Sequence, residues 1–260
     1  MATTTPRSVR WLLVHDLHDS TAPWLAALWR QRLGPRAGEL LVLPAPAITL
    51  GGRWQLRVQG STTQSCLVIE QGQGAQLQRL QVHSDTLRGV LHRPHQAWVP
   101  EKTADRDYVA QERQALLLAW LHGLGERCMN APTAGSLAGP AWSGAQWRWQ
   151  AHRMGLPVQA GPDIAPQAVL PLLRLVVAGD HVFSVNGQAL PAAWQAGARR
   201  LAAAAGCRLL GLYAVDGGPD GWHFVQASVQ PDLRAAGPAV AQALAAAMCM
   251  PEPEAIGLCA

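Results

Sequence analysis

Short apolar runs alternate along the chain with longer segments in which apolar residues return every three or four positions, the pattern of strands and helices sharing one core. Trp11 to His15 is the first such run, and it ends in the polar cluster HDLHDS. The spacing of Trp24, Leu25, Leu28, Trp29 and Leu33 predicts a helix from Thr21 to Leu33, stopped by Gly34 and Pro35. Glu39 to Leu43 reads as a second strand, so the opening segment forms a βαβ unit. Trp54 to Val58 and Ser65 to Ile69 read as a hairpin layer between glycine-rich breaks, and Leu87 to Leu91 as a strand running into His92, Arg93 and Pro94. A long helix is expected from Asp105 to Gly123. Asp105 is available as its cap, and Tyr108, Val109, Glu112, Ala115, Leu116, Ala119 and Trp120 form the stripe expected to face the sheet.

Ala134 to Gly144 is rich in small residues and proline and marks a border. Beyond it a helix from Ser143 to Met154 stops at Gly155, and Pro157, Pro162 and Pro166 punctuate a connector. The pattern then predicts a hairpin from Val169 to Val177 and His181 to Val185, and a helix from Ala192 to Ala205. Strands follow at Leu209 to Val215 and Trp222 to Val229 around a GGPDG turn, and a helix from Pro238 to Met248 comes last. The expected fold class is α/β plus α+β, with an α/β domain over residues 1–133 and an α+β domain over residues 134–260.

Composition narrows the function. With 49% hydrophobic and 15% charged residues, the chain is expected to fold throughout. The formal charge is +4, but the cationic residues are scattered, so no nucleic-acid partner is expected. Lys102 is the only lysine, which removes most options for a lysine that grips phosphate or forms a Schiff base. Five widely spaced cysteines without a CxxC pair favour reduced thiols, and no apolar stretch approaches the roughly 20 residues that cross a bilayer. A soluble cytoplasmic protein with no membrane partner is expected, and a homo-oligomer is left open.

Three groups of residues are candidates for chemistry or contact. His15 and His18 sit where the first strand should end, and His92 and His95 where another parallel strand should end. The two HxxH pairs would then meet at one sheet edge as ligands for zinc or iron; the alternative is two polar loops that contain histidine. Trp142, Trp147 and Trp149 crowd the border loop, as anchors for a peptide or partner or as ordinary packing. Trp24, Trp29 and Trp120 lie on helical stripes and read as core. Cys66, Cys128 and Cys207 read as buried small hydrophobes. No GxSxG elbow is present, and GGPDG precedes a strand, so it reads as a turn and not as a phosphate loop.

Several longer matches share one order. Asp19 opens a helix after the first strand; LRGVLHRPH places Arg93 and Pro94 at a strand end; DYVAQERQ leads to Asn130, Ala131 and Pro132; Ala151, Gly155, Leu156, Pro157 and Val158 close a helix; and LRLVVAGDHVFSV, CRLLGLYAV and WHFVQASVQP supply the last strands. This succession resembles the ATP-grasp superfamily, in particular the ligases that close lactones, amides or esters in ribosomally made peptides such as microviridins. The resemblance implies an N-terminal pre-ATP-grasp-like α/β domain and a truncated ATP-grasp-like C-terminal α+β domain. It also implies where ATP and magnesium would be held, and there the chain departs from the family. A Gly-x-Asp strand is replaced by Gly211, Leu212 and Tyr213, and a Glu-Val-Asn strand by Gln226, Ala227 and Ser228. Asp216 and Asp220 lie in the turn between them and read as solvated turn residues. A lysine expected before the GLPV helix is absent, with Gly144 at its position and Trp147 at that of a glutamine. The central nucleotide-binding subdomain has no counterpart between Pro157 and Leu170.

These departures imply a degenerate ligase with no catalytic residues and no cofactor. Its expected role is to bind a precursor peptide or a modifying enzyme, with Arg93, Trp142, Trp147 and Trp149 as contacts. The alternative is an active ATP-dependent carboxylate-amine ligase, or a metal-dependent enzyme using the histidines, completed by a partner subunit.

Overall fold

The run Trp11 to Val14 is buried on both faces, and that fact organises the first half of the molecule. In the computed structural model, β1 (Trp11–His15) lies between β2 (Leu40–Pro44) and β6 (Gly89–His92) in a parallel sheet of order β2-β1-β6. The structure describes all residues except 1–7, 51, 60–61, 72–77, 103, 159–171, 186, 188 and 253–260. Alternate residues of β1 enter different cores. Trp11 and Leu13 pack with α1 (Thr21–Leu33), and Leu12 and Val14 pack with α3 (Arg106–Leu124). A parallel strand covered by helices on both sides needs apolar residues at every position, as this run provides.

The second layer of this half is an antiparallel sheet of β3 (Gly52–Gln59), β4 (Thr62–Gln71) and β5 (Gln78–His83), reached through the short helix α2 (Ala45–Thr49). It packs on α3, where the rings of Trp54 and Trp120 meet edge to face at 5.0 Å. β5 was not expected from the sequence, because QRLQVH carries only two apolar residues on its inner face.

The helix α3 forms where expected but turns differently. Leu117, Trp120, Leu121 and Leu124 are its buried residues, while Tyr108 is 65% exposed. Only its C-terminal half lies against the sheets, so the expected stripe through Tyr108 and Glu112 is not the buried face. Asp105 does not cap it: the residue is left-handed, with φ at 50°, and its side chain makes no capping bond. By contrast α4 (Gly144–Arg153) begins with a full capping box, Ser143 Oγ accepting from Gln146 N and Gln146 Oε1 from Ser143 N.

The second half is an antiparallel sheet of order β10-β9-β7-β8, built from β7 (Leu172–Ala178), β8 (His181–Ser184), β9 (Leu209–Asp216) and β10 (Trp222–Ser228). One face packs on α4 and α5 (Ala192–Ala204), through Leu173, Leu175, Leu212, Phe224, Trp147 and Trp194. From the other face, Val176 joins α1 and α6 (Pro238–Ala247) in the core that also holds Trp11 and Leu13. One core therefore draws on residues from both sides of the border loop. Trp29 Nε1 donates to Ala241 O and Trp11 Nε1 to Met248 O, pinning α6 to the first half.

Asn130 welds the two halves together. Its side chain accepts from Arg208 N at 3.1 Å and Leu209 N at 2.9 Å, and donates to Ala138 O and Leu209 O. At 4% exposure its amide stands in for a missing strand partner, leaving no buried backbone group of β9's entry unpaired there.

Candidate functional site

The carboxyl ends of β1 and β6 are neighbours, the edge at which open α/β sheets place ligands. Asp19 follows β1 and Arg93 follows β6. Arg93 Nε and Nη2 both donate to the Asp19 carboxylate, and Nη2 also reaches Pro231 O in the segment leaving β10. Asp19 also accepts from Thr21 N, and Thr21 Oγ1 donates to Asp232. The Arg93 side chain is 4% exposed and that of Asp19 12%, so the pair is buried and bidentate, its geometry fixed by the strands beneath. Arg93 Nη1 is buried with no partner among the described residues. Sequence inspection singled out Asp19 and Arg93 separately; two polar residues at the ends of adjacent parallel strands were the signal that they would pair.

The histidines divide. His92 is buried within β6, and desolvation drives its pKa down to about 3, so it stays neutral across the physiological range. His95 leaves the strand and bonds Ser136 Oγ through Nδ1 at 3.0 Å, its pKa lowered mainly by burial. His15 Nδ1 bonds Asp16 O, and His18 is exposed. Among the described residues no group of three His, Cys, Asp or Glu side chains is placed to hold a metal ion. The two HxxH pairs form no metal-binding group among the described residues: His92 is buried in a strand covered on both faces, while His95 lies in the loop beyond it, near Asp16 and Arg93.

Tyr213, Gln226 and Ser228 are brought together. Cross-strand register aligns Arg174, Tyr213 and Gln226 in one row across β7, β9 and β10, with Val176, Gly211 and Ser228 in the next row on the same face. Gly211 is required there, since a Cβ would stand 2.7 Å from the Pro231 ring. The donor set is a phenol, an amide and a hydroxyl beside an exposed guanidinium, which does not fit a magnesium ion. Arg174 was not among the expected site residues, although the alternation of LRLVV turns it outward.

The carboxylates nearby are otherwise engaged. Asp232 lines a cavity of about 30 Å³ with Arg174, Tyr213 and Pro231, against the roughly 300–1,000 Å³ of small-molecule pockets. Its pKa is lowered to about 2, first by its hydrogen bond from Arg234. Asp216 Oδ1 accepts from Gly218 N within the turn. The Asp220 side chain and residues 159–171 of the connector lie outside the described residues.

The three tryptophans of the border also separate. Trp147 is 5% exposed in the core beneath the β7–β10 sheet, and Trp142 packs on it edge to face at 4.6 Å. An anchor cannot be presented from the position of Trp147, which serves packing, while Trp142 is half-buried against it. Trp149, 57% exposed, lies on the outer face of α4 under the Arg153 guanidinium at 4.7 Å.

Neither a family model nor a curated protein sequence matches the chain. Solved structures do. The RiPP-associated ATP-grasp ligase of Chryseobacterium gregarium, in complex with ADP and a leader and core peptide, superposes with a TM-score of 0.65 at 10% identity, over 94% of this chain and 98% of that one. Macrocyclase MdnC of Microcystis aeruginosa, bound with precursor peptide MdnA, gives 0.68 at 12% identity over 92% and 99%. Macrocyclase MdnB of the same organism gives 0.63 at 16% identity over 90% and 97%. With its sheet orders and near-complete coverage of those chains, this protein carries the fold of the ATP-grasp ligases that act in ribosomal-peptide modification.

Proposed function

We propose that the protein binds peptide without activating it, as the peptide-binding or enzyme-binding component of a ribosomal-peptide modification pathway. The row Arg174, Tyr213 and Gln226 carries this reading: it puts a cation and two neutral groups on the sheet face where the family resemblance calls for anionic ligands. Magnesium needs hard anionic oxygen to balance its charge, and a triphosphate without the metal needs several cations in its place. The peptide is supported by the solved ligases of this fold, crystallised with their precursors. Trp149 is the contact on offer, an exposed apolar plate on the outer face of α4, whereas Arg93 is buried against Asp19.

Isothermal titration with ATP and magnesium tests the reading: no saturable heat is expected, and a micromolar Kd would overturn it. A precursor peptide encoded beside the gene should bind with nucleotide omitted. A second reading, an active ligase completed by a partner subunit, is favoured by the extent of the superposition, which spans 97–99% of two macrocyclases. Peptide binding that appears only when ATP is present would select it.

A further inference from the structure

A groove of about 830 Å³ lies between the C-terminal end of α1 and α6. Its volume falls within the range of small-molecule sites, and its floor is apolar, made by Leu28, Trp29, Leu33, Pro238 and Ala241. Arg32 is set in this wall. Its side chain is only 9% exposed, and its Nε is buried without a hydrogen-bond partner among the described residues. A guanidinium removed from water with a donor unused favours an anion that can take two parallel bonds. The neighbouring Arg36 is engaged with Glu39 and over the Trp11 ring.

At present Arg32 Nη2 bonds the carboxylate of Glu252 at 2.9 Å. The Glu252 side chain is 83% exposed, so its half of the ion pair is solvated and easily exchanged. The groove wall also includes the start of α6 at Pro238, a helix end with no side-chain cap and no acidic residue in its first turn. Its positive pole is therefore uncompensated. With Arg36 engaged by Glu39, one arginine with an unused donor above an apolar floor matches a carboxylate on an apolar body better than a phosphate dianion.

We propose that this groove binds a small amphipathic carboxylate, with its apolar body on Trp29 and Leu33 and its headgroup on Arg32 in place of Glu252. Glu252 is then a built-in competitor whose removal strengthens binding. The test is calorimetric titration of the full chain with decanoate and with decanamide, which share the apolar body and differ in charge. Decanoate should bind, and decanamide about tenfold more weakly. Glu252→Gln should tighten decanoate about two- to fivefold and leave decanamide unchanged. Arg32→Gln, its fold checked by circular dichroism, should abolish the difference between the two ligands. Equal affinity for acid and amide, weaker decanoate binding by Glu252→Gln, or no decanoate binding by either wild type or Glu252→Gln would each overturn the proposal. The Glu252 arm decides alone if Arg32→Gln does not fold.

Discussion

At the carboxyl edge of the parallel sheet, opposite charges are buried and paired; across from it, the outward row of the antiparallel sheet holds a phenol, an amide and one exposed guanidinium. The edge ties together three segments distant in sequence, the exits of β1, β6 and β10, through one arginine. Its charge is held for architecture. On the sheet face Val176 belongs to the core and Gly211 is held against Pro231, while the side chains of Arg174 and Gln226 are exposed and able to meet another molecule. On a fold shared with ligases, this chain thus has a buried charged joint at one edge and no carboxylate in the row Arg174, Tyr213 and Gln226.

Breaking the joint should have the largest effect. Arg93→Ala leaves the largely buried Asp19 carboxyl group without its cation and with only the hydrogen bond from Thr21 N, and should cost about 3–5 kcal/mol in urea unfolding. The exposed pair Asp232 and Arg234 is the control, and Arg234→Ala should leave the unfolding midpoint unchanged. Asn130→Ala should cost about 3 kcal/mol by the same measurement, since it strands the amides of Arg208 and Leu209 between the halves.

His92 adds a pH test of the edge. Its folded pKa of about 3 lies below the unfolded value of 6.5, so the unfolded chain binds the proton first as pH falls. The contribution is complete above pH 6.5 and is lost as pH falls towards 3, at about 1.4 kcal/mol per pH unit once the unfolded histidine is protonated. Between pH 6 and pH 4, wild type should therefore lose about 2 kcal/mol that a folded His92→Leu variant retains. A small stability effect is expected on the outer face of α4. Trp149→Ala should move stability by no more than about 0.5 kcal/mol while weakening peptide capture. A large loss of stability there would show that the ring is structural.

Element types were largely legible because both periods are strong. The Trp11 run and the α1 stripe ended by Gly34 formed as expected, and so did the strands paired around Gly179, except that the expected start of the first at 169–171 lies outside the described residues. Two features escaped for physical reasons. β5 buries one sparse face, which alternation alone does not distinguish from loop, and the buried side of α3 depends on which turns the sheets reach. The tryptophans show the same limit: Trp147 and Trp149 are two residues apart on one helix, yet one is buried and the other exposed.

The sequence by itself determined which segments are strands and helices, and that the residues at Tyr213, Gln226 and Ser228 carry no charge, because these follow from local periodicity and side-chain chemistry. Only the tertiary structure decided that Arg93 closes on Asp19, that His92 and His95 part company, and that Arg174 stands beside Tyr213. Those outcomes depend on strand order and register, which set distances between residues far apart in the chain and which no local pattern encodes.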